Sequence, residues 1–295
     1  MDYLEKRISQ AQEAIENSEY ILIGGGAGLS AAAGLTYSGK RFSDHFSDFM
    51  EKYGFTDMYA GTFYPFQTEE ELWAHWARHI DVNRYLMPAT RLYLDIMELV
   101  KNKKYFVIST NVESQFVKAG FPDDKVFEVQ GDYSYLQCAK GCHDKLYYNE
   151  ELIKKMVFHT KECRIPSELV PRCPVCGNEM DVNLRHNAFF VQNEEWYKAD
   201  KRYSKFLDES EGKNIVYMEF GVGFNTPGII RYPFEQMTYK NPNATLIRFN
   251  RDNPLGAPEI AKKTISFDED IMLVIQSIGK RQSEQNLPGN EMKNA

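Results

Sequence analysis

Tyr20-Ile21-Leu22-Ile23-Gly24-Gly25-Gly26-Ala27-Gly28-Leu29-Ser30 is the stretch of the chain that decides its fold. A short apolar run that ends in several glycines is typical of a buried strand followed by a tight turn. Upstream of it, apolar residues recur at helical spacing from Leu4 to Ile15. The chain is therefore predicted to begin with a helix, a buried strand and a glycine turn.

Similar β-rich runs follow along the chain, with helical patterns between most of them, at 105–109, 126–129, 215–220, 246–249 and 264–267. Short apolar strands that alternate with helices predict an α/β fold, a Rossmann-like parallel sheet with helices on both faces. We assign this Rossmann-like domain to residues 1–132 and 186–282. A helical block over 43–100 is expected to cover its cleft, 133–185 to form an inserted module, and the polar residues 283–295 a flexible tail.

Composition narrows the possible partners. The 295 residues are 43% hydrophobic and carry a formal charge of −7, which is typical of a soluble globular protein and argues against nucleic acid as a partner. The longest uncharged window, 20–39, is rich in glycine and predicts a loop and not a membrane span. The first residues lack the pattern of a secretory signal, so we expect a cytoplasmic protein that does not bind membranes.

The cysteines of the inserted module predict a metal site. Four of them form two short-spaced pairs that lie thirty residues apart, Cys138 with Cys142 and Cys173 with Cys176. Two such pairs can supply the tetrahedral thiolate set of a structural zinc ion, with Gly141 and Gly177 in the tight turns beside them. The alternative is a set of free or disulfide-bonded cysteines, and the disulfide version does not suit an intracellular chain. Cys163, His143 and His159 are left over and are expected to serve surface or packing roles.

The glycine turn itself has two interpretations. Residues without side chains let backbone N–H groups approach a pyrophosphate at the start of a helix, or they can serve a purely structural turn. A dehydrogenase-type dinucleotide site would need an acidic residue about 20 positions further on, and only Asp44 and Asp48 lie near that distance. The common dehydrogenase interpretation is therefore weak.

Four motifs in order carry a more specific resemblance: 26–30 with Ala33-Gly34, Thr110-Asn111-Val112-Glu113 with Ala119-Gly120, Glu128-Val129-Gln130-Gly131, and the cysteine module directly after them. In order and spacing the chain resembles a sirtuin over roughly residues 20–250. The resemblance implies an NAD site with an adenosine side at Gly221-Val222-Gly223 and Asn250. It also implies that Asn111 is catalytic and holds ribose hydroxyls or an ordered water, although its position alone favours an N-cap for a helix that starts at Val112.

Three departures from the sirtuin pattern bear on activity. Thr36-Tyr37-Ser38-Gly39 replaces the usual Pro-Asp-Phe-Arg, so that Arg41 and Phe42 are candidates to substitute for the missing pair. The stretch after Arg185 differs from the acyl-lysine channel of deacylating sirtuins. Gln130 stands where those enzymes place a histidine base, and a carboxamide cannot accept that proton near neutral pH. Loss of the base is expected to spare ADP-ribosyl transfer more than deacylation.

With these departures, 31–42 and Asn225-Thr226-Pro227 are similar to the macrodomain-linked class M sirtuins. This resemblance implies a protein ADP-ribosyltransferase that acts on a lipoylated glycine-cleavage-H-like carrier protein, with a macrodomain hydrolase as a separate reversing enzyme. An NAD-dependent deacylase or NAD hydrolase, and a non-catalytic NAD-binding module, are the alternatives.

The predicted site residues fall into three sets. Asn111, Gln130 and Arg185 form the catalytic set, in which Arg185 clamps an acceptor carboxylate or a phosphate unless it forms a surface ion pair. Cys138, Cys142, Cys173 and Cys176 form the zinc set. The NAD set adds to Asn111 and Gln130 the residues Gly26, Ala27, Gly28, Ser30, Ala31, Arg41, Phe42, Gly221, Gly223, Asn225 and Asn250.

Overall fold

The computed structural model describes residues 3–285, and side chains as far as residue 280. Within that range the strands are β1 (Tyr20–Gly25), β2 (Lys104–Ser109), β3 (Val126–Glu128), β4 (Gly131–Cys138), β5 (Tyr147–Tyr148), β6 (Met180–Leu184), β7 (Ile215–Phe220), β8 (Ala244–Phe249) and β9 (Thr264–Phe267). The helices are α1 (Tyr3–Asn17), α2 (Ala27–Ala32), α3 (Lys40–Tyr53), α4 (Glu69–Ile80), α5 (Arg91–Val100), α6 (Gln115–Lys118), α7 (Glu150–His159), α8 (Glu194–Ser210), α9 (Arg231–Lys240) and α10 (Ile271–Gln285).

Six strands form a parallel sheet in the order β3-β2-β1-β7-β8-β9, as the alternating pattern predicts. The order reverses between β1 and β7, because the chain adds strands outward from β1 on one side and from β7 on the other. A crevice at such a switch point, outside the carboxyl ends of the strands, is where this kind of sheet binds ligands. Gly25 pairs with Ser109 of β2 and with Phe220 of β7, so the loops that follow all three strands leave the sheet at one level.

Helices cover both faces of the parallel sheet. On one face α1, α5 and α10 share an apolar core that includes Ile8, Ile96 and Ile275, and on the other α8 and α9 pack through Phe206 and Phe234. Helix α5 therefore belongs to the Rossmann-like domain, although its sequence lies inside the predicted helical block. Helix α10 continues to Gln285, past the predicted start of the tail, and 286–295 lie outside the described residues.

The helical block and the cysteine module form one small domain. Strands β5, β4 and β6 make an antiparallel sheet that the sequence pattern did not reveal. Its apolar face shares a single core with α3, α4 and α7, in which Phe46, Trp73, Leu136 and Met156 are buried. Helix α4 begins at a capping residue, since Thr68 accepts a hydrogen bond from the Glu71 N–H at 3.4 Å.

Within residues 3–285, no helix has both the length and the apolar character that crossing a bilayer requires.

Candidate active site

The loops after β1 and β7 meet at the switch point of the sheet, backbone against backbone. Gly26 N–H donates to the Phe220 carbonyl and Gly28 N–H to the Gly221 carbonyl, both at 2.9 Å. A Cβ on Gly28 would lie 2.7 Å from the Gly221 Cα, and Gly221 itself has φ +58°. Only residues without side chains permit this approach.

This contact favours the structural interpretation of the glycine turn. The N–H groups of Gly26 and Gly28 are engaged by the β7 loop, so they are not donors for a pyrophosphate in this structure. The glycines act by close packing of the two loops. On the short helix α2 that follows, Ala27 and Ala31 are exposed and Ser30 is buried.

Four buried polar side chains meet beneath this turn: Ser30, Tyr93, Asn111 and Glu113. The Ser30 hydroxyl donates to the Glu113 carboxylate and lies 3.1 Å from the Tyr93 hydroxyl, and the Asn111 amide donates to Tyr93 at 3.3 Å. Burial, with the Glu113 charge as the next cause, holds the pKa of Tyr93 well above its usual range, so the phenol stays neutral. Sequence reasoning missed Tyr93, whose only signal is a hydroxyl within the apolar stripe of α5.

Asn111 is not an N-cap. The next helix, α6, starts only at Gln115, and the chain from Asn111 to Ser114 is not helical. The Asn111 amide instead donates to the Gly26 carbonyl at 2.9 Å, and within the described residues its Oδ1 accepts no hydrogen bond. Asn111 is 8% exposed, so a fixed amide oxygen stands at the edge of the cleft.

Gln130 and Arg185 come together where the two domains join. The Arg185 N–H donates to the Gln130 carbonyl at 3.0 Å. Next to it Gly131 has φ +100°, and a Cβ there would overlap the Asn183 carbonyl, so this position requires glycine. Gln130 is half-buried, and no residue of the described chain hydrogen-bonds its carboxamide. The Arg185 side chain is exposed and forms no ion pair within the described range, so the expected alternative of a surface ion pair is not realised.

The residues predicted for the adenosine side lie along the same sheet edge. Asn250 is 8% exposed, donates to the Val222 carbonyl at 2.9 Å and accepts from the N–H groups of Asp252 and Asn253. It therefore ties the loop after β7 to the loop after β8. Gly223 and Asn225 are exposed in the first of these loops.

Phe42 does not line this cleft, whereas Arg41 lies near enough to Glu113 for their charges to interact. The Arg41 guanidinium donates to the carbonyls of Thr36 and Val82, at 2.9 and 3.0 Å. Phe42 is 2% exposed and stacks on Phe46, because α3 begins at Lys40 and directs this edge of the helix into the core of the small domain. The structure does not support Phe42 as a contact for a bound cofactor.

The four paired cysteines form a compact cluster whose sulfur atoms all lie within 4.8 Å of one another. Cys138 and Cys176 are 3.6 Å apart and Cys142 and Cys173 3.7 Å. Zinc–sulfur bonds of about 2.3 Å in a tetrahedron require sulfur separations of about 3.8 Å, so the cluster fits a zinc ion. Such an ion would join the end of β4 and the turn after it to the loop that precedes β6.

Gly141 and Gly177 take positive φ in the knuckles beside these cysteines, +56° and +72°, as their positions predict. His143 lies next to the cluster, with Nδ1 3.0 Å from Cys142 Sγ, but it is not one of the four mutually close ligands. Cys163 is buried elsewhere in the small domain, where burial raises the pKa of its thiol to about 12, and His159 is exposed.

Known proteins resemble the chain in sequence. A protein ADP-ribosyltransferase of Staphylococcus aureus is 37% identical over 276 residues, which are 93% of this chain and 88% of that protein. A probable bifunctional ADP-ribose hydrolase/ADP-ribosyltransferase of Fusarium oxysporum is 31% identical over 79% of this chain and 40% of its own length. An NAD-dependent deacetylase of Dictyostelium discoideum, sir2E, is 25% identical over 79% of this chain and 68% of its own length. No family model matches the chain.

Solved structures resemble its fold. A Sir2 homologue in complex with NAD superposes with a TM-score of 0.56 at 15% identity, over 94% of both chains. Sir2Tm bound to a propionylated peptide gives a TM-score of 0.59 at 16% identity, over 94% of this chain and 98% of that one. A parallel sheet with a cleft at its switch point and a cysteine-bearing small domain is thus the sirtuin fold.

The chain belongs to the sirtuin superfamily. Within it, the identity over nearly its whole length places it in the family of the staphylococcal protein ADP-ribosyltransferase.

Proposed function

We propose that the chain transfers ADP-ribose from NAD to a separate lipoylated carrier protein of the glycine-cleavage-H kind, with release of nicotinamide. The observation that carries this is the site itself: Asn111 is buried and fixed at the cleft, while Gln130 occupies the place of the deacylation base. The name of the staphylococcal relative supports the same reaction class. Bound at the cleft, NAD would supply the ADP-ribosyl group and a nicotinamide leaving group.

The buried polar cluster performs the positioning that this reaction needs. Asn111 can accept from a ribose hydroxyl through Oδ1, because its Nδ2 is already held by Gly26 and Tyr93. Glu113 accepts from Ser30 and from the Val112 N–H, so its carboxylate is held in one orientation. Fixed groups in a shielded cleft orient the reacting atoms without reorganising during the reaction.

Gln130 can orient a ribose hydroxyl but cannot deprotonate it. A deacylating sirtuin needs that proton transfer for its acyl intermediate to collapse. Direct attack of an acceptor on the ribose carbon does not need that proton transfer from the ribose hydroxyl. The chemistry of this one side chain therefore favours transfer over deacylation.

The acceptor side is a groove between the zinc knuckle and the segment after Arg185, lined by Lys140, Gly141, His143, Asp144 and 188–192. Phe189 is 54% exposed there, and the Phe190 ring lies against Gly131, next to Gln130. An apolar lipoyl arm can pack on such rings and bring the carrier to the cleft, which is remote binding energy used for positioning. The exposed Arg185 stands beside this path, free to clamp an acceptor carboxylate.

A macrodomain hydrolase, as a separate protein, would remove the ADP-ribosyl group. We place the reaction in the cytoplasm, where NAD is available.

Intact mass spectrometry of the carrier tests the proposal. With NAD and this protein, the lipoylated carrier should gain one ADP-ribosyl unit and the unlipoylated carrier none. Asn111→Ala should abolish the gain while leaving the protein folded, and the control Asn243→Ala, at the opposite edge of the sheet, should label at the normal rate.

Two results would change the assignment. Equal labelling of both carriers would refute lipoyl-guided docking but keep the transferase. Nicotinamide release without any labelling would replace the transferase by an NAD hydrolase.

A further inference from the structure

Ser114 has an unusual backbone for its residue type. It takes a left-handed conformation with φ 56° and ψ 36°, although it is not glycine, and it is 3% exposed. It directly precedes α6 but does not cap that helix through its side chain. A buried, non-glycine residue in this region carries strain that the surroundings must offset.

The Ser114 hydroxyl lies between two carboxylates. Its Oγ is 2.8 Å from Glu128 Oε2 and 3.0 Å from Asp132 Oδ2. A hydroxyl has one proton, so it cannot donate to both oxygens. One of the two carboxyl groups must therefore itself carry a proton for both contacts to be hydrogen bonds.

The charges around the pair decide which one. Arg84 donates to both oxygens of Asp132, at 2.9 and 3.2 Å, so the Asp132 side chain has a bidentate cationic partner. Glu128 forms no ion pair with a cation of the described chain, and burial, followed by the charge of Asp132, raises its pKa well above the usual range. A protonated Glu128 donates to Ser114, and Ser114 donates to Asp132.

The other titratable groups that face this chain of hydrogen bonds are Lys118, Glu113, Tyr135, Tyr85 and Tyr148. Lys118 donates to the carbonyls of Arg84 and Met87, so it fixes the turn that carries Arg84 and is not a partner of Glu128. That turn, Asp81–Tyr85, is π-helical, a form that often marks functional sites.

The three linked residues border the two segments that bear the proposed catalytic groups, because Glu128 ends β3 and Asp132 lies at the start of β4. Ser114 ends the loop of Asn111 and Glu113, and Glu128 and Asp132 flank Gln130. We propose that Ser114, a positioning residue, clamps these two segments together through Glu128 and Asp132, and so sets Asn111 against Gln130 for nicotinamide cleavage. The inference rests on the proposed function of that site.

Ser114→Gly is the informative variant, because glycine adopts φ 56° without strain, so the CH2OH group and its hydrogen bonds are lost without new backbone strain. We expect kcat for nicotinamide release, measured with the carrier present, to fall about tenfold to a hundredfold. ADP-ribose affinity should change less than about twofold, since the predicted adenosine-side contacts lie outside the clamp. The matched control is Ser134→Ala, because Ser134 is equally buried beside the same loop while its hydroxyl has no partner, and it should behave as wild type.

Two further variants test whether Glu128 carries the proton of this hydrogen-bond chain. Glu128→Gln keeps a neutral donor toward Ser114 and should retain most of the activity, whereas Asp132→Asn should lose as much as Ser114→Gly. In the wild type the rate should fall as the pH rises through the raised pKa of Glu128, and Glu128→Gln should remove that fall. A Glu128→Gln variant as impaired as Ser114→Gly would overturn the hydrogen-bond chain.

Amide hydrogen exchange separates this inference from the transferase proposal. If the transferase proposal is wrong, the wild-type protein itself will not label the carrier. The clamp predicts faster exchange of 110–114 and 129–132 in Ser114→Gly than in Ser134→Ala. Equal exchange in the two variants, or faster exchange with unchanged kcat, would refute it.

Discussion

At the scale of single residues, the site depends on where side chains are missing and on where an expected one has been replaced. Gly28 and Gly221 allow two loops to touch through their backbones. The Asn111 amide is fixed by a hydrogen bond to the Gly26 carbonyl in the first of these loops. Gln130 changes the chemistry that this geometry can perform, because it positions a hydroxyl but does not accept a proton.

Restoring the histidine should not restore a deacylase. We expect Gln130→His to turn over acetyl-lysine peptides poorly, because the segment after Arg185 also departs from the deacylating pattern and Phe190 packs beside Gly131. The measurement is deacetylation of an acetyl-peptide with NAD, with a deacylating sirtuin assayed in parallel. Robust turnover by the variant would show that the groove accepts acyl-lysine after all.

At the scale of elements, helix α4 carries two buried histidines into the core of the small domain. His75 lies among the rings of Phe46, Phe49, Phe55 and Phe66, and burial lowers its pKa to about 4. His79, one turn on, lies 2.9 Å from the Tyr133 hydroxyl and also has a lowered pKa because it is buried. Both imidazoles are therefore neutral in the folded protein at neutral pH.

This burial predicts that the free energy of unfolding decreases as the pH falls below about 6.5, which gives an acid limb in the plot of stability against pH. A histidine whose folded pKa is depressed stabilises the fold fully above its unfolded pKa, and that stability is lost as the pH falls toward the folded value. Between about pH 6.5 and about pH 4 we expect a loss of about 3 kcal/mol from His75. His75→Phe, which suits the surrounding rings, should flatten the limb in urea unfolding, and the exposed His159→Gln should not. An unchanged limb in His75→Phe would assign the acid sensitivity to other groups.

At the scale of the whole molecule, the cleft lies between two bodies with separate cores. The Rossmann-like domain supplies Asn111 and the adenosine side, while the small domain supplies Arg185 and the acceptor groove. Cys138 and Cys173 are themselves part of the core that joins the module to α3 and α4. Metal at the cysteine cluster would therefore stabilise the helical block as well as the knuckles.

Loss of the metal should therefore abolish ADP-ribosyl transfer to the carrier while weakening ADP-ribose binding much less. We expect one zinc ion per chain by elemental analysis, and Cys173→Ser with Cys176→Ser together should remove it. The small domain should then expose apolar surface and carrier labelling should cease, while ADP-ribose binding by calorimetry is weakened much less, because the cores of the parallel sheet do not include the module. Cys163→Ser is the control, since Cys163 lies outside the cluster. Full zinc retention by the double variant would refute the assignment of its ligands.

The sequence alone determined the parallel sheet, the cysteine pairs and the family motifs. These features depend on neighbours along the chain: apolar runs, glycines at turns and short ligand spacings are visible without the fold. Gly141 and Gly177 occupy their predicted turns for the same reason.

Only the tertiary structure decided how distant segments meet. The engagement of the glycine N–H groups by the β7 loop, the burial of Phe42, the membership of α5 in the larger domain and the links of Tyr93 and Ser114 to the catalytic loops all depend on residues far apart in the chain. A side chain's hydrogen-bond partner or its burial is a property of three-dimensional packing, and local sequence patterns do not encode it.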